Sequence, residues 1–172
     1  MASSERFSAR EGSRQLYTAE QRRRRDSSKW TLVQGVLAPL QFLVFLVSLG
    51  LILRYLATGE GLFAANSSIV VKTLVLYAIM ITGSIWEKDV FGKWLFADAF
   101  FWEDVVSMLV LALHTAYLVC LLNGLLDHRA LMLLALAAYA SYAINAAQFL
   151  LKLRAARLGA SASLAAPLEQ AR

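Results

Sequence analysis

Apolar residues fall in four long blocks instead of marking one side of short amphipathic segments. Residues 30–53 run without a charge. Residues 69–86 carry Lys72 near one end, residues 105–122 carry His114, and residues 130–151 carry Asn145 and Gln148. An apolar run of about 18 or more residues, rising about 1.5 Å per residue, is long enough to cross the roughly 30 Å hydrocarbon core of a bilayer. The pattern therefore predicts four transmembrane helices. Pro39 cannot donate to the Gly35 carbonyl, so a kink is expected within the first span. Lys72 is expected to snorkel toward headgroups.

Outside the blocks lie a polar tail (residues 1–29), short connections, and a tail of small and polar residues (153–172). The first tail holds Arg6, Arg10, Arg14, the run Arg22 to Arg25, and Lys29. It reads as a mobile segment in which a short amphipathic helix can form near residues 16–25. A twin-arginine export signal is the competing reading of the run. The apolar stretch that follows is too long for a signal core, and three more spans come after it.

Composition agrees with this division. The chain has 172 residues, 59% of them hydrophobic, against roughly 45–50% in soluble domains. Its mean hydropathy is +0.56. The net charge of +5 comes from residues at block ends and in the tails. That placement sets orientation in a membrane and is not a nucleic-acid surface. The two tails and the 87–104 connection hold all the basic residues except Arg54, Lys72 and Arg129. The positive-inside rule puts that larger group in the cytoplasm. The predicted fold is thus all-α: an integral membrane antiparallel four-helix bundle with both termini cytoplasmic, its membrane domain spanning residues 30–152. Cys120 is the only cysteine, which excludes an intrachain disulfide and a cysteine-based metal cluster.

Polar side chains inside the blocks gather toward the cytoplasmic half. Gln34 and Gln41 share one helical face, and Ser141, Asn145, Gln148 and Lys152 form a stripe at helical spacing. Glu87 ends the second block, and Glu103 and Asp104 open the third. Interhelical hydrogen bonding explains Gln34, Ser107 and Ser141 without further function. The three carboxylates have two readings. They are helix-end charges in water, with Glu103 and Asp104 favoured by the helix dipole, or they are catalytic. Favouring the second, Trp86-Glu87 and Trp102-Glu103 each set a carboxyl beside an indole. A desolvated carboxyl keeps its proton more tightly and can donate it near neutral pH.

His114 follows Glu103 by eleven residues, on the same helix face and about 16 Å along the axis, a tetrapyrrole-sized separation. It is either hydrogen-bonded inside the bundle, to Asn145 or a backbone carbonyl, or it is functional, as intramembrane ionisable groups often are. The aromatics Phe91, Trp94, Phe96, Phe100 and Phe101 suggest an interfacial segment that could also cover a pocket. Phosphate loops, metal-binding Cys/His clusters and nucleophile elbows are absent from the sequence.

Five runs carry a resemblance: LYTAEQRRRRD (16–26), WTLVQGVLAPLQFLVF (30–45), LYAIMITGSIWEK (76–88), FFWEDVVSMLVLALHT (100–115) and AYASYAINAAQFLLK (138–152). They closely resemble the 2-vinyl bacteriochlorophyllide hydratase family over roughly residues 16–157. The resemblance implies hydration of the C3 vinyl group of chlorophyllide a, or of its bacteriochlorophyllide counterpart, to a 1-hydroxyethyl group during bacteriochlorophyll synthesis. It implies a magnesium chlorin substrate, water as co-substrate, no cofactor of the protein's own, and residence in the inner (intracytoplasmic) membrane. Contacts with other enzymes of the same pathway would suit the basic face.

The resemblance supplies no catalytic residues, so the residues themselves set the expectations. Glu103 is the first candidate acid, with Asp104 or Glu87 orienting or deprotonating water. His114 is a candidate axial ligand to the substrate magnesium. Asn145, Gln148 and Gln41 are candidates for holding ring carbonyls or water, and Trp86 and Trp102 for contacting the ring. A pigment carrier without chemistry is the alternative. A proton-coupled transporter fits less well, because the periplasmic half looks nearly bare of polar groups apart from Tyr117, Cys120 and Lys72.

Overall fold

The computed structural model describes residues 16–169, with side chains described through Leu158. The described chain is helical: α1 (Ala19–Ser27), α2 (Lys29–Thr58), α3 (Leu62–Phe91), α4 (Phe101–Asn123) and α5 (His128–Glu169). Four helices are long and apolar enough to cross a membrane: α2, α3, α4, and α5 as far as Leu158. Each apolar block sits inside a helix that outruns it at both ends. In lipid the backbone must satisfy its own hydrogen bonds, so helix continues until water or a cap takes over. Gly59, Gly92 and Gly124 end α2, α3 and α4 with φ values of 75°, 81° and 63°. That left-handed conformation suits glycine at a helix C-terminus.

The arginine run forms its own short helix. The Thr18 hydroxyl accepts a hydrogen bond from the Gln21 backbone N–H, and Gln21 Oε1 accepts one from the Thr18 backbone N–H, a complete capping box. Tyr17 anchors the segment, stacking on Phe91 with ring centroids 5.7 Å apart. Burial raises the pKa of the Tyr17 phenol, opposed by the Arg25 guanidinium 4.8 Å from its ring centre. The short helix expected near residues 16–25 forms at Ala19–Ser27, and residues 16–27 are a docked and capped element instead of a mobile one.

Helices α2 and α3 pack together, as do α4 and α5. At one end of the long helices, Ser28 donates to Asp89, Trp86 Nε1 donates to Thr31 Oγ1 at 2.9 Å, and Lys152 meets Glu103. This is the carboxylate end. The interior core comprises Phe45, Ile52, Ile69, Leu76, Val110, Tyr117, Met132, Tyr139 and their neighbours.

Two expectations need correction. Lys72 does not snorkel: it is 0% exposed, with its ammonium 3.8 Å from the centre of the Tyr142 ring. The half of the bundle remote from the carboxylates is not bare either. Tyr139 donates to Ser48 at 2.6 Å, Ser48 and Ser68 are 2.7 Å apart, and Tyr117 donates to Asn66 at 2.8 Å. In sequence these groups look isolated, because their partners lie on other helices.

Candidate active site at the carboxylate end

Glu87, Glu103 and Asp104 come from α3 and the first turn of α4, and all three are buried. Charge in a helix's first turn is favoured by the dipole, but here the side chains turn inward instead of reaching into water. Asp104 accepts from the Phe96 backbone N–H at 2.8 Å, and Glu87 accepts from that of Ala97 at 3.2 Å. The two carboxyls lie within hydrogen-bonding reach of each other. Such a bond forms only when one of the pair carries a proton.

Glu103 lies in a different environment. Its Oε2 is 2.5 Å from Lys152 Nζ. The Glu103 side chain is 9% exposed and that of Lys152 is 28% exposed. Lys152 also sits 5.2 Å from the centre of the Phe100 ring. Asn145 Nδ2 donates to the Glu103 backbone carbonyl at 2.8 Å, and Ser107 joins Asn145 Oδ1 at 3.2 Å. The polar stripe of α5 therefore fixes the start of α4. Lys152 was visible as part of that stripe, four residues after Gln148, but its acidic partner 49 residues earlier was not.

Beside this cluster is a recess of about 570 Å³ lined by Leu16, Gln21, Phe91, Lys93, Ala97 and Lys152, among others. Ala97 and Lys152 line the recess and also bind the carboxylates, so the acids sit one layer behind its wall. The loop that separates them contains Phe96 at φ 58°, a strained conformation for a phenylalanine. Behind Phe91 of the recess wall, Tyr17, Trp86, Phe100 and Phe149 form a packed aromatic cluster, with centroids 5.6 to 6.4 Å apart.

The sequence-predicted residues are thus partly assembled. Glu87, Asp104, Glu103 and Asn145 converge. Trp86 joins the packed aromatic cluster behind the recess, held by Thr31. Trp102 does not wall Glu103: it is 69% exposed and packs edge-on against Phe101. Consecutive helical residues point about 100° apart, so an indole next in sequence is not an indole against the carboxyl. Gln148 Oε1 is buried with no hydrogen-bond partner among the described residues. His114 and Gln41 lie deeper and do not join the group. His114 is ten residues beyond Asp104, about 15 Å along the axis, and its ring stacks on Tyr139 at 5.7 Å. Of the two bland readings of His114, the structure has the backbone one: Nδ1 meets the Val110 carbonyl at 2.8 Å.

Fold and site together define a small helical protein with four helices long and apolar enough to cross a membrane, and with acid–base groups gathered beside a recess at one end of them. The family profile for 2-vinyl bacteriochlorophyllide hydratase matches residues 17–155. The chain belongs to that family and is a hydratase, a hydro-lyase of bacteriochlorophyll synthesis. It is 66% identical over 150 residues to the 2-vinyl bacteriochlorophyllide hydratase of Cereibacter sphaeroides, covering 87% of this chain and 93% of that one. It is 63% identical over 153 residues to the enzyme of the same name from Rhodobacter capsulatus, covering 89% of each chain. No solved structure matches the chain.

Proposed function

We propose that the protein hydrates the C3 vinyl group of chlorophyllide a, or of its bacteriochlorophyllide counterpart, by carbon protonation followed by water attack. The observation that carries this reading is the meeting of Glu87, Asp104, Glu103 and Lys152 beside the recess.

A vinyl carbon is a poor base, so its protonation is the demanding step. In this reading the proton comes from the Glu87–Asp104 pair, because a hydrogen-bonded carboxyl pair holds a proton. Glu103, the first candidate on sequence grounds, takes the other role, because Lys152 stands 2.5 Å from its carboxylate oxygen. The pair transfers a proton to the terminal vinyl carbon. The π electrons form that C–H bond and leave a cation on the adjacent carbon, delocalised into the chlorin. Water attacks that carbon through an oxygen lone pair, and its surplus proton passes to Glu103. The proton returns from Glu103 to the pair, whose Asp104 feels the Glu103 charge, so acid and base are restored and the net change is the addition of one water. A positioned acid or base contributes about 10² to 10⁴ in rate, and orientation in the recess supplies much of the rest. Residues 96–98 give way as the vinyl edge enters, and the strain at Phe96 eases that movement.

The chlorin brings its own magnesium, and the protein supplies no cofactor. The helices lie antiparallel in the inner membrane with both termini and the carboxylate end in the cytoplasm, where Lys93 and the arginines of α1 face anionic headgroups. That basic face also suits contacts with other enzymes of the pathway.

The deciding experiment supplies chlorophyllide a to membranes containing the protein and analyses the pigment by mass. Gain of one water, with absorption moving to shorter wavelength, is expected. Bound but unchanged pigment refutes the enzymatic reading of this substrate and favours a carrier.

A further inference from the structure

The polar groups on the recess wall are unevenly matched. Gln21, Lys93, Asp98 and Lys152 carry the polar side chains there, and the remaining lining is Leu16, Phe91 and four alanines. Lys152 is engaged, 2.5 Å from Glu103 Oε2. Gln21 Oε1 accepts from the Thr18 backbone N–H, so that side chain has its amide N–H groups left to offer. Lys93 is held by Asp98 at 3.1 Å. The Asp98 side chain is 95% exposed and that of Lys93 54%, and an ion pair so open to water is worth little. An anion that enters the recess can therefore take the place of Asp98 at small cost. A largely apolar wall with one exchangeable cation suits an apolar molecule that carries a single acid.

The substrate proposed above has that form. A chlorophyllide is the free acid of a chlorophyll: a flat apolar macrocycle with one propionate side chain, ionised at neutral pH as carboxyls are. Esterification removes the charge and leaves the ring and its vinyl group as they were.

We propose, resting on the reading of the protein as a chlorophyllide hydratase, that Lys93 binds the propionate carboxylate of the substrate in place of Asp98, with Gln21 as a second donor. The propionate and the vinyl group sit on neighbouring rings of the chlorin, so holding one helps to orient the other toward the carboxyls behind Ala97. Leu16 and Gln21 belong to the docked segment around α1. The capping box and the stacking of Tyr17 on Phe91 thus hold one wall of the substrate site in place.

The test uses the full-length protein in phosphatidylcholine vesicles, which carry no net charge. It is titrated with chlorophyllide a and, separately, with chlorophyllide a methyl ester. Quenching of tryptophan fluorescence gives affinity, and pigment mass gives turnover. Comparing the acid-over-ester affinity ratio between variants cancels the unequal partition of the two pigments into lipid. Lys93→Met should lower the ratio about fivefold or more. Gln21→Glu keeps the capping box, which glutamate serves as well as glutamine, but places a negative charge in the wall, and should lower the ratio too. Asp98→Asn removes the competitor and should raise the ratio, by up to about fivefold. A purely structural role for the Lys93–Asp98 pair would move Lys93→Met and Asp98→Asn in the same direction and overturn the proposal. So would a ratio unchanged by Lys93→Met, the result expected if a lipid phosphate occupies that lysine instead. Hydration of both pigments with no variant-dependent preference removes this proposal and leaves the hydratase reading. A preference that follows Lys93 without gain of water upholds the acid site and removes the hydratase reading.

Discussion

The Lys152–Glu103 ion pair offers the most direct test of the site, through the substitution Lys152→Met. At 2.5 Å and an effective dielectric of about 20, bare Coulomb attraction is about 6–7 kcal/mol. Desolvation of both groups offsets most of it, and the partial exposure of Lys152 screens more. A net coupling of about 1–3 kcal/mol remains. Removing Lys152 alone leaves Glu103 buried without its counter-ion, so the single variant should be less stable than wild type by about that amount. Lys152→Met/Glu103→Gln, which removes both charges, should recover much of the loss. Unfolding of wild type, both single variants and the double variant in one detergent closes the cycle. The same four proteins assayed for chlorophyllide hydration should show Lys152→Met and Glu103→Gln each lowering turnover about 10²-fold or more, with losses far short of multiplying in the double variant. A coupling below about 0.3 kcal/mol, within the scatter of independent sites, would refute the reading of Glu103 as an anion fixed by Lys152. Full turnover in Glu103→Gln would remove it from the reaction.

Glu87→Gln and Asp104→Asn should each reduce turnover about 10²-fold or more, because either one breaks the proton-sharing pair; unchanged kinetics in both would leave the pair a purely structural clamp on residues 96–97. Gly92→Ala, at φ 81° with open space around the added carbon, should cost about 1 kcal/mol in unfolding free energy through backbone conformation alone. Thr18→Ala removes the capping box of α1, worth about 1 kcal/mol, and should speed tryptic cleavage within Arg22–Arg25. Burial raises the Tyr17 pKa in the folded state. The docked segment therefore contributes its full stability below pH 10 and loses it as pH rises above 10, because the undocked phenol gives up its proton first. Tyrosinate absorbance of wild type compared with Tyr17→Phe should show that one phenol titrating late.

The four long helices were legible in the sequence because they follow from a local property. An uninterrupted apolar run in lipid has little choice but to close its own backbone hydrogen bonds. The cap of α1, a threonine and a glutamine three residues apart, is equally local but came to light only in the structure. Family membership was legible in long runs of residues. What the sequence left open was the rotation of each helix about its axis. In a soluble protein the apolar stripe marks the inward face, but lipid is as apolar as the core, so hydropathy does not separate inside from outside. Trp102 turned out and Lys72 turned in, each against its sequence reading, because packing between helices fixes those rotations. The same packing chose Lys152 as the partner of Glu103, across 49 residues of chain, and set His114 against Tyr139. The inventory of chemical groups is written along the chain, but which of them meet depends on how the helices turn toward one another.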